Sequence, residues 1–357
     1  MYNLLVDEKV VKRHCERVIK KCKEEINIVK SEKIEKTSDD FKNFTEEQIE
    51  VANDKFQSFI TWIEENEHLE LIIASKPKDL LKIYKEIVDK FSFKIDVMEN
   101  GQWVKKEVFD ISGVYGKTIK EKIIRIFDYK WFRDKYAYEF TKELNINICP
   151  YCNREYIFTI FSESINGKSI KKIARPELDH YFPQHIYPMF ALSFYNLIPS
   201  GHICNSNIKG MKFLDIERYL HPYVDENKDF RFCLDIKGES GINPQIYIDT
   251  GENDKVKNTI DFFMLPEIYK FHNDLAEDAI ELFRRYPPKY LVDYLQRLKD
   301  LGIDYFGIRN IGDILEILYK SYIVKKVDNE MLGKLRNDLY GEICDVYMRY
   351  VKECTTE

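Results

Sequence analysis

Apolar residues recur every three or four positions through much of the first ninety, which is the spacing of helices with one buried face. Ser75 and Pro77 mark a helix start, after which Leu80, Tyr84, Ile87, Val88 and Phe91 fall on a single face. Thr45-Glu46-Glu47-Gln48 has the composition of a capping box, in which Thr45 and Gln48 each satisfy an orphan backbone N–H. The pattern then changes. Residues 93–98 and 102–109 alternate roughly, joined through Glu99-Asn100-Gly101, and Asn-Gly between such runs predicts a hairpin because both central residues take positive φ.

Helical spacing returns over 117–145, with Ile119, Ile123, Phe127, Trp131 and Phe132 as the buried stripe. Strands are expected over 154–161 and 170–178 about an Asn166-Gly167 turn, and again near 231–236 and 245–248. The remainder predicts helices at 264–286, 289–300, 310–323 and 329–352. The last has an apolar seam of Leu332, Leu335, Leu339, Ile343, Val346 and Tyr350, more naturally a core face than a partner site. The fold class expected is α+β. A mainly helical lobe would span 1–145 with its hairpin near 93–109, a small core 146–224, and a short β region followed by a helical lobe 225–357.

A chain of 357 residues exceeds the usual single core, and 44% hydrophobic residues are enough to fill a packed interior. No apolar run approaches the eighteen or so residues of a spanning helix, and the first residues lack the pattern of a signal peptide, so a cytoplasmic protein is expected. The net charge of −6 argues against nucleic acid until it is divided: Lys and Arg against Asp and Glu give −4 for 1–100, +5 for 101–210 and −7 for 211–357. The middle stretch therefore carries the charge a phosphate-binding face needs.

Chemistry-bearing residues gather in that same stretch. Cys149-Pro150-Tyr151-Cys152 precedes Leu178-Asp179-His180-Tyr181-Phe182-Pro183, then Asn196-Leu197-Ile198-Pro199-Ser200, then Cys204-Asn205-Ser206 and Lys209-Gly210. Close-spaced cysteines in a reducing compartment point to metal ligands before disulfides. Cys15, Cys22, Cys233, Cys344 and Cys354 are scattered and read as small buried hydrophobes. On a strand, Asp179 and His180 would face opposite ways, a carboxylate for a hard cation on one side and an imidazole for water on the other.

This order resembles the HNH (His-Me finger, ββα-metal) endonucleases, strongly over 149–222 and faintly elsewhere. Together with His221-Pro222-Tyr223 and Lys334-Leu335-Arg336-Asn337-Asp338-Leu339, it is similar to a bacterial anti-phage defence group whose members act beside an ATPase subunit, as in Septu-type systems. The resemblance implies phosphodiester hydrolysis with His180 as general base. Asp179 and Asn205 would be ligands of Mg²⁺ or Mn²⁺, and Asn196 would fix the histidine through backbone hydrogen bonds across the loop. Arg154, Arg175 and Lys209 are the nearest cations for phosphate contacts, whereas His185 reads as a surface or substrate-side residue.

Relatives commonly complete a zinc knuckle with a second CxxC. Here that half is Gly201-His202-Ile203-Cys204, with glycine in place of a cysteine. Cys149, Cys152 and Cys204 leave one ligand missing, for which His202, a water, a distant cysteine or no zinc at all are the options. DNA is the expected substrate. Structured RNA such as tRNA, or a non-catalytic module that binds nucleic acid or a partner, are the alternatives.

Overall fold

The protein is described here from a computed structural model, which covers residues 4–36, 41–65, 67–92, 94–107, 117–163, 170–225, 230–235, 244–302, 308–325 and 330–355. Four helices open the chain: α1 (Glu8–Lys30), α2 (Glu46–Glu64), α3 (His68–Ala74) and α4 (Pro77–Phe91). Asp7 caps α1 by accepting from the Lys9 N–H, and Val10, His14, Val18, Cys22, Ile26 and Val29 form its buried stripe. The Thr45 box is present with both of its hydrogen bonds. Strands β1 (Lys94–Glu99) and β2 (Gln102–Glu107) pair about Asn100 and Gly101, whose φ values of 49° and 80° are those the tight turn demands.

The single helix expected over 117–145 is three: α5 (Lys117–Ile126), α6 (Tyr129–Lys135) and α7 (Ala137–Leu144). Asp128 causes the first break, because its carboxylate accepts from the Trp131 N–H and starts a new helix. The strand expected from 154 begins later, as β3 (Ile160–Glu163), and pairs with β4 (Ile170–Ala174); the Asn166-Gly167 turn lies outside the described residues. Arg175-Pro176 interrupts the next expected strand, so β5 (Glu177–His180) is separate and pairs antiparallel with β6 (Leu197–Ser200). A short π-helical segment, Ile203–Lys209, follows and closes with Gly210 N–H donating to the Asn205 carbonyl at 2.7 Å.

Beyond it, β7 (Arg231–Asp235) pairs with β8 (Gln245–Asp249), and the helices α8 (Asp254–Phe262), α9 (Leu265–Tyr269), α10 (Asn273–Arg285), α11 (Pro288–Asp300) and α12 (Ile311–Leu318) follow. The last helix, α13 (Gly333–Thr355), packs along β7 and against α10 and α11. Its buried face runs through Leu335, Leu339, Ile343 and Tyr347, so Tyr347 takes the place expected for Val346 and Tyr350. The fold class is mixed helix and strand, and among the described residues the strands form four separate two-stranded hairpins.

One buried apolar cluster runs from Leu4 to Tyr347 across all three expected stretches. Leu4 donates its N–H to Pro222, and the His14 ring on α1 is bonded to the Leu192 carbonyl at 2.8 Å. At the other end, Asn153 has φ 50° and holds the start of α13: its carbonyl accepts from Leu332 N–H and its side-chain oxygen from Lys334 N–H. No described helix is long and apolar enough to cross a membrane.

Candidate active site and metal centre

The loop between β5 and β6 turns on Asn196. Its side-chain oxygen accepts from Phe182 N–H at 2.7 Å, and its amide donates to the carbonyls of Phe190 at 2.9 Å and Phe182 at 3.2 Å. Every bond goes to the backbone of the loop and the residue is fully buried, as a loop-fixing role requires. That loop places the Ala191 carbonyl 3.0 Å from Nε2 of His180. In the neutral ring the carbonyl can only accept, so the proton sits on Nε2 and the basic lone pair on Nδ1. Tyr129 packs edge-on against the imidazole with centroids 4.4 Å apart. Burial pushes the His180 pKa below its ordinary value, against the Ala191 bond and the Asp179 charge, which raise it.

The opposite face of β5 carries carboxylates. Asp179 is buried, with one oxygen 2.8 Å from Lys209 Nζ and the other accepting from the Tyr151 hydroxyl at 2.5 Å. Lys209 also donates to the His180 carbonyl at 2.8 Å. One expectation is corrected here. Lys209 is 1% exposed and neutralises Asp179, so it does not stand on a phosphate-facing surface. Asp179 and Asn205 have separate partners: Lys209 supplies a cation at Asp179, and Asn205 donates its amide N–H to Glu177 at 2.8 Å.

Glu177, two residues before Asp179 and on the same face, is a centre that the sequence reading missed. It accepts from His202 Nδ1 at 2.7 Å, from the Ser206 hydroxyl at 2.7 Å and from Asn205. Burial works to raise its pKa, and the bonds from His202, Ser206 and Asn205 outweigh it and hold the carboxylate below its usual range. The signal lay in strand alternation carried back two positions.

Among the other expected cations, Arg175 donates to the Pro176 carbonyl and lies over the Tyr138 ring. Its charge and that of Arg133 both act on the Tyr129 hydroxyl, which brings Arg133, also missed, toward the same neighbourhood. Arg154 is half-buried beside Cys152, Tyr269 and His272 rather than near His180. His185 gives its carbonyl to Lys120.

Cys149, Cys152 and Cys204 converge as expected. All three are buried with their sulfurs within 4.8 Å of one another, and such a cluster can hold a metal ion such as zinc. Hydrogen bonds from Cys149 and Cys204 push Cys152 toward the thiolate, the form that binds metal, while burial raises Cys149. His202, the expected candidate for a fourth ligand, stands outside the cluster: its ring is exposed and bonded to Glu177, and that bond raises its pKa.

Over 56 residues, the chain is 38% identical to protein ea31 of Escherichia phage lambda, which amounts to 15% of this chain and 19% of that protein. The chain thus spans about a fifth of the length of that curated relative. No family model matches the chain, and no solved structure matches it.

Proposed function

We propose that the protein is a phosphodiester hydrolase of the HNH type, acting on DNA with His180 as general base. The observation that carries this reading is the Nε2 bond to the Ala191 carbonyl, which orients Nδ1 as proton acceptor and is itself set by Asn196. A lowered pKa keeps the ring neutral at pH 7, the state a base needs to take a proton from water. Arg175 and Arg133, whose charges act on the Tyr129 hydroxyl beside the His180 ring, would be the cations to meet phosphate oxygens on leaving the Pro176 carbonyl and Asp134. The catalytic Mg²⁺ or Mn²⁺ that the resemblance implies does not fit Asp179 while Lys209 and Tyr151 occupy it; the oxygens nearer solvent are those of Glu177, Asn205 and Ser206.

That closure of Asp179 favours a second reading, a non-catalytic module that keeps this fold to bind nucleic acid or a partner. An ATPase subunit as that partner, and a place in anti-phage defence, follow from the resemblance. The test is plasmid nicking with Mg²⁺ or Mn²⁺, run beside the same assay on tRNA. His180→Ala is expected to lose at least a hundredfold in rate with DNA binding intact, since general-base assistance contributes about 10²–10⁴-fold. Wild-type protein inert on both substrates would leave the non-catalytic reading standing, and cutting of tRNA alone would move the substrate to structured RNA.

A further inference from the structure

We infer that Glu155 is the fourth ligand of the cysteine metal site, in the place of the cysteine that position 201 lacks. A Cβ built on Gly201 would lie 2.0 Å from Oε2 of Glu155 and 2.3 Å from its Cδ. The carboxylate therefore fills the volume that a side chain at 201 would occupy. Its Oε1 accepts from His202 N–H at 3.3 Å, at the start of the segment that delivers Cys204. Its Oε2 is buried and makes no hydrogen bond among the described residues.

An orphaned carboxylate oxygen beside three thiols is costly unless a cation shares it. Zinc satisfies that need, because it takes carboxylate oxygen at about 2.0–2.2 Å beside thiolate sulfur at about 2.3 Å. A carboxylate also preserves the charge of the four-cysteine shell. Three thiolates and one carboxylate give Zn²⁺ the same net charge as four thiolates, whereas a water in the fourth place gives one unit less negative. Arg154, next in sequence and half-buried, offsets that charge. His202, the other nearby candidate, is committed to Glu177. The sulfurs alone make up the set within 4.8 Å, so ligation by Glu155 requires its carboxylate to rotate inward.

The test uses the full-length protein and does not depend on nuclease activity. Zinc affinity is measured by competition with a chromophoric chelator for the wild type, Glu155→Gln and the double variant Glu155→Ala with Gly201→Cys. Wild type is expected to bind one zinc, Glu155→Gln at least tenfold more weakly, and the double variant as tightly as wild type. Cobalt substitution should show thiolate charge-transfer absorption of three sulfurs in wild type and four in the double variant. X-ray absorption of the zinc-loaded wild type, which needs no variant, should show three sulfurs and one oxygen. Equal affinity of wild type and Glu155→Gln, a four-sulfur or imidazole-containing shell, or less than about a tenth of an equivalent of bound zinc would each overturn the assignment.

Discussion

Two buried histidines that pack against the segments flanking His180 make the fold sensitive to acid. His14 lies against Phe132, Phe140 and Phe194, and burial lowers its pKa to about 4; burial, with the nearby Lys255 charge, lowers that of His221 to about 3. In the unfolded chain both would bind protons near 6.5, so between that pH and the folded values the unfolded state holds more protons. Their stabilisation is complete above pH 6.5 and is lost as pH falls through about 4. At pH 5 each should already have given up about 2 kcal/mol. Urea midpoints are expected to fall between pH 7.5 and 5, with a shallower fall for His14→Gln; a midpoint flat over that range would contradict the burial argument. Residue identity had made part of this region legible. Asp179-His180, Asn196 and the three cysteines announce themselves by spacing, but the partners of Lys209 and His202 depend on which carboxylate a short helical turn brings within reach, and spacing does not encode that.

At the scale of elements, β5 and the segment Ile203–Lys209 are joined mainly through charge. Lys209 and Asp179 are both almost wholly buried, a setting in which removing one partner costs about 3–5 kcal/mol because the other charge is left stranded. Lys209→Met should therefore lower stability by about that much in urea unfolding. Pairing it with Asp179→Asn should recover most of the loss, since no ion then remains inside. A loss under about 1 kcal/mol for the single variant would mean that the pair is not closed in solution. Alternation and helical spacing were good guides to which elements exist, as the Asn100-Gly101 hairpin and the Thr45 box show. They were poorer guides to where elements stop. Asp128 and Arg175-Pro176 cut runs that periodicity alone would have continued, because a cap and a ring-locked φ act locally and leave the hydrophobic pattern unchanged.

For the whole molecule, the continuity of the interior decides what can be separated. The loop that follows His180 buries its short turns at Pro188–Phe190 and Phe194–Asn196 on α1, α3 and α5. A fragment of 146–224 alone would expose those turns, so it should show poor chemical-shift dispersion in ¹H–¹⁵N NMR even with zinc present. A dispersed spectrum would make the segment an autonomous domain. The partition of charge read from the sequence belongs to this scale too, yet burial of Lys209 and the half-burial of Arg154 show that net charge along a stretch overstates what its surface offers to phosphate.

The left-handed turn at Asn153 sits one residue beyond Cys152 and grips the first turn of α13, while the Cys152 carbonyl accepts from the Tyr269 hydroxyl of α9 at 2.6 Å. Loading, chelation or oxidation of those thiols is therefore expected to be felt at α9 and α13, whose contacts lie 117 and 181 residues further along the chain. A fluorophore on the outer side of α13 would act as a gauge of the knuckle's state, and chelator should loosen the tail of the protein before it disturbs the loop that holds His180.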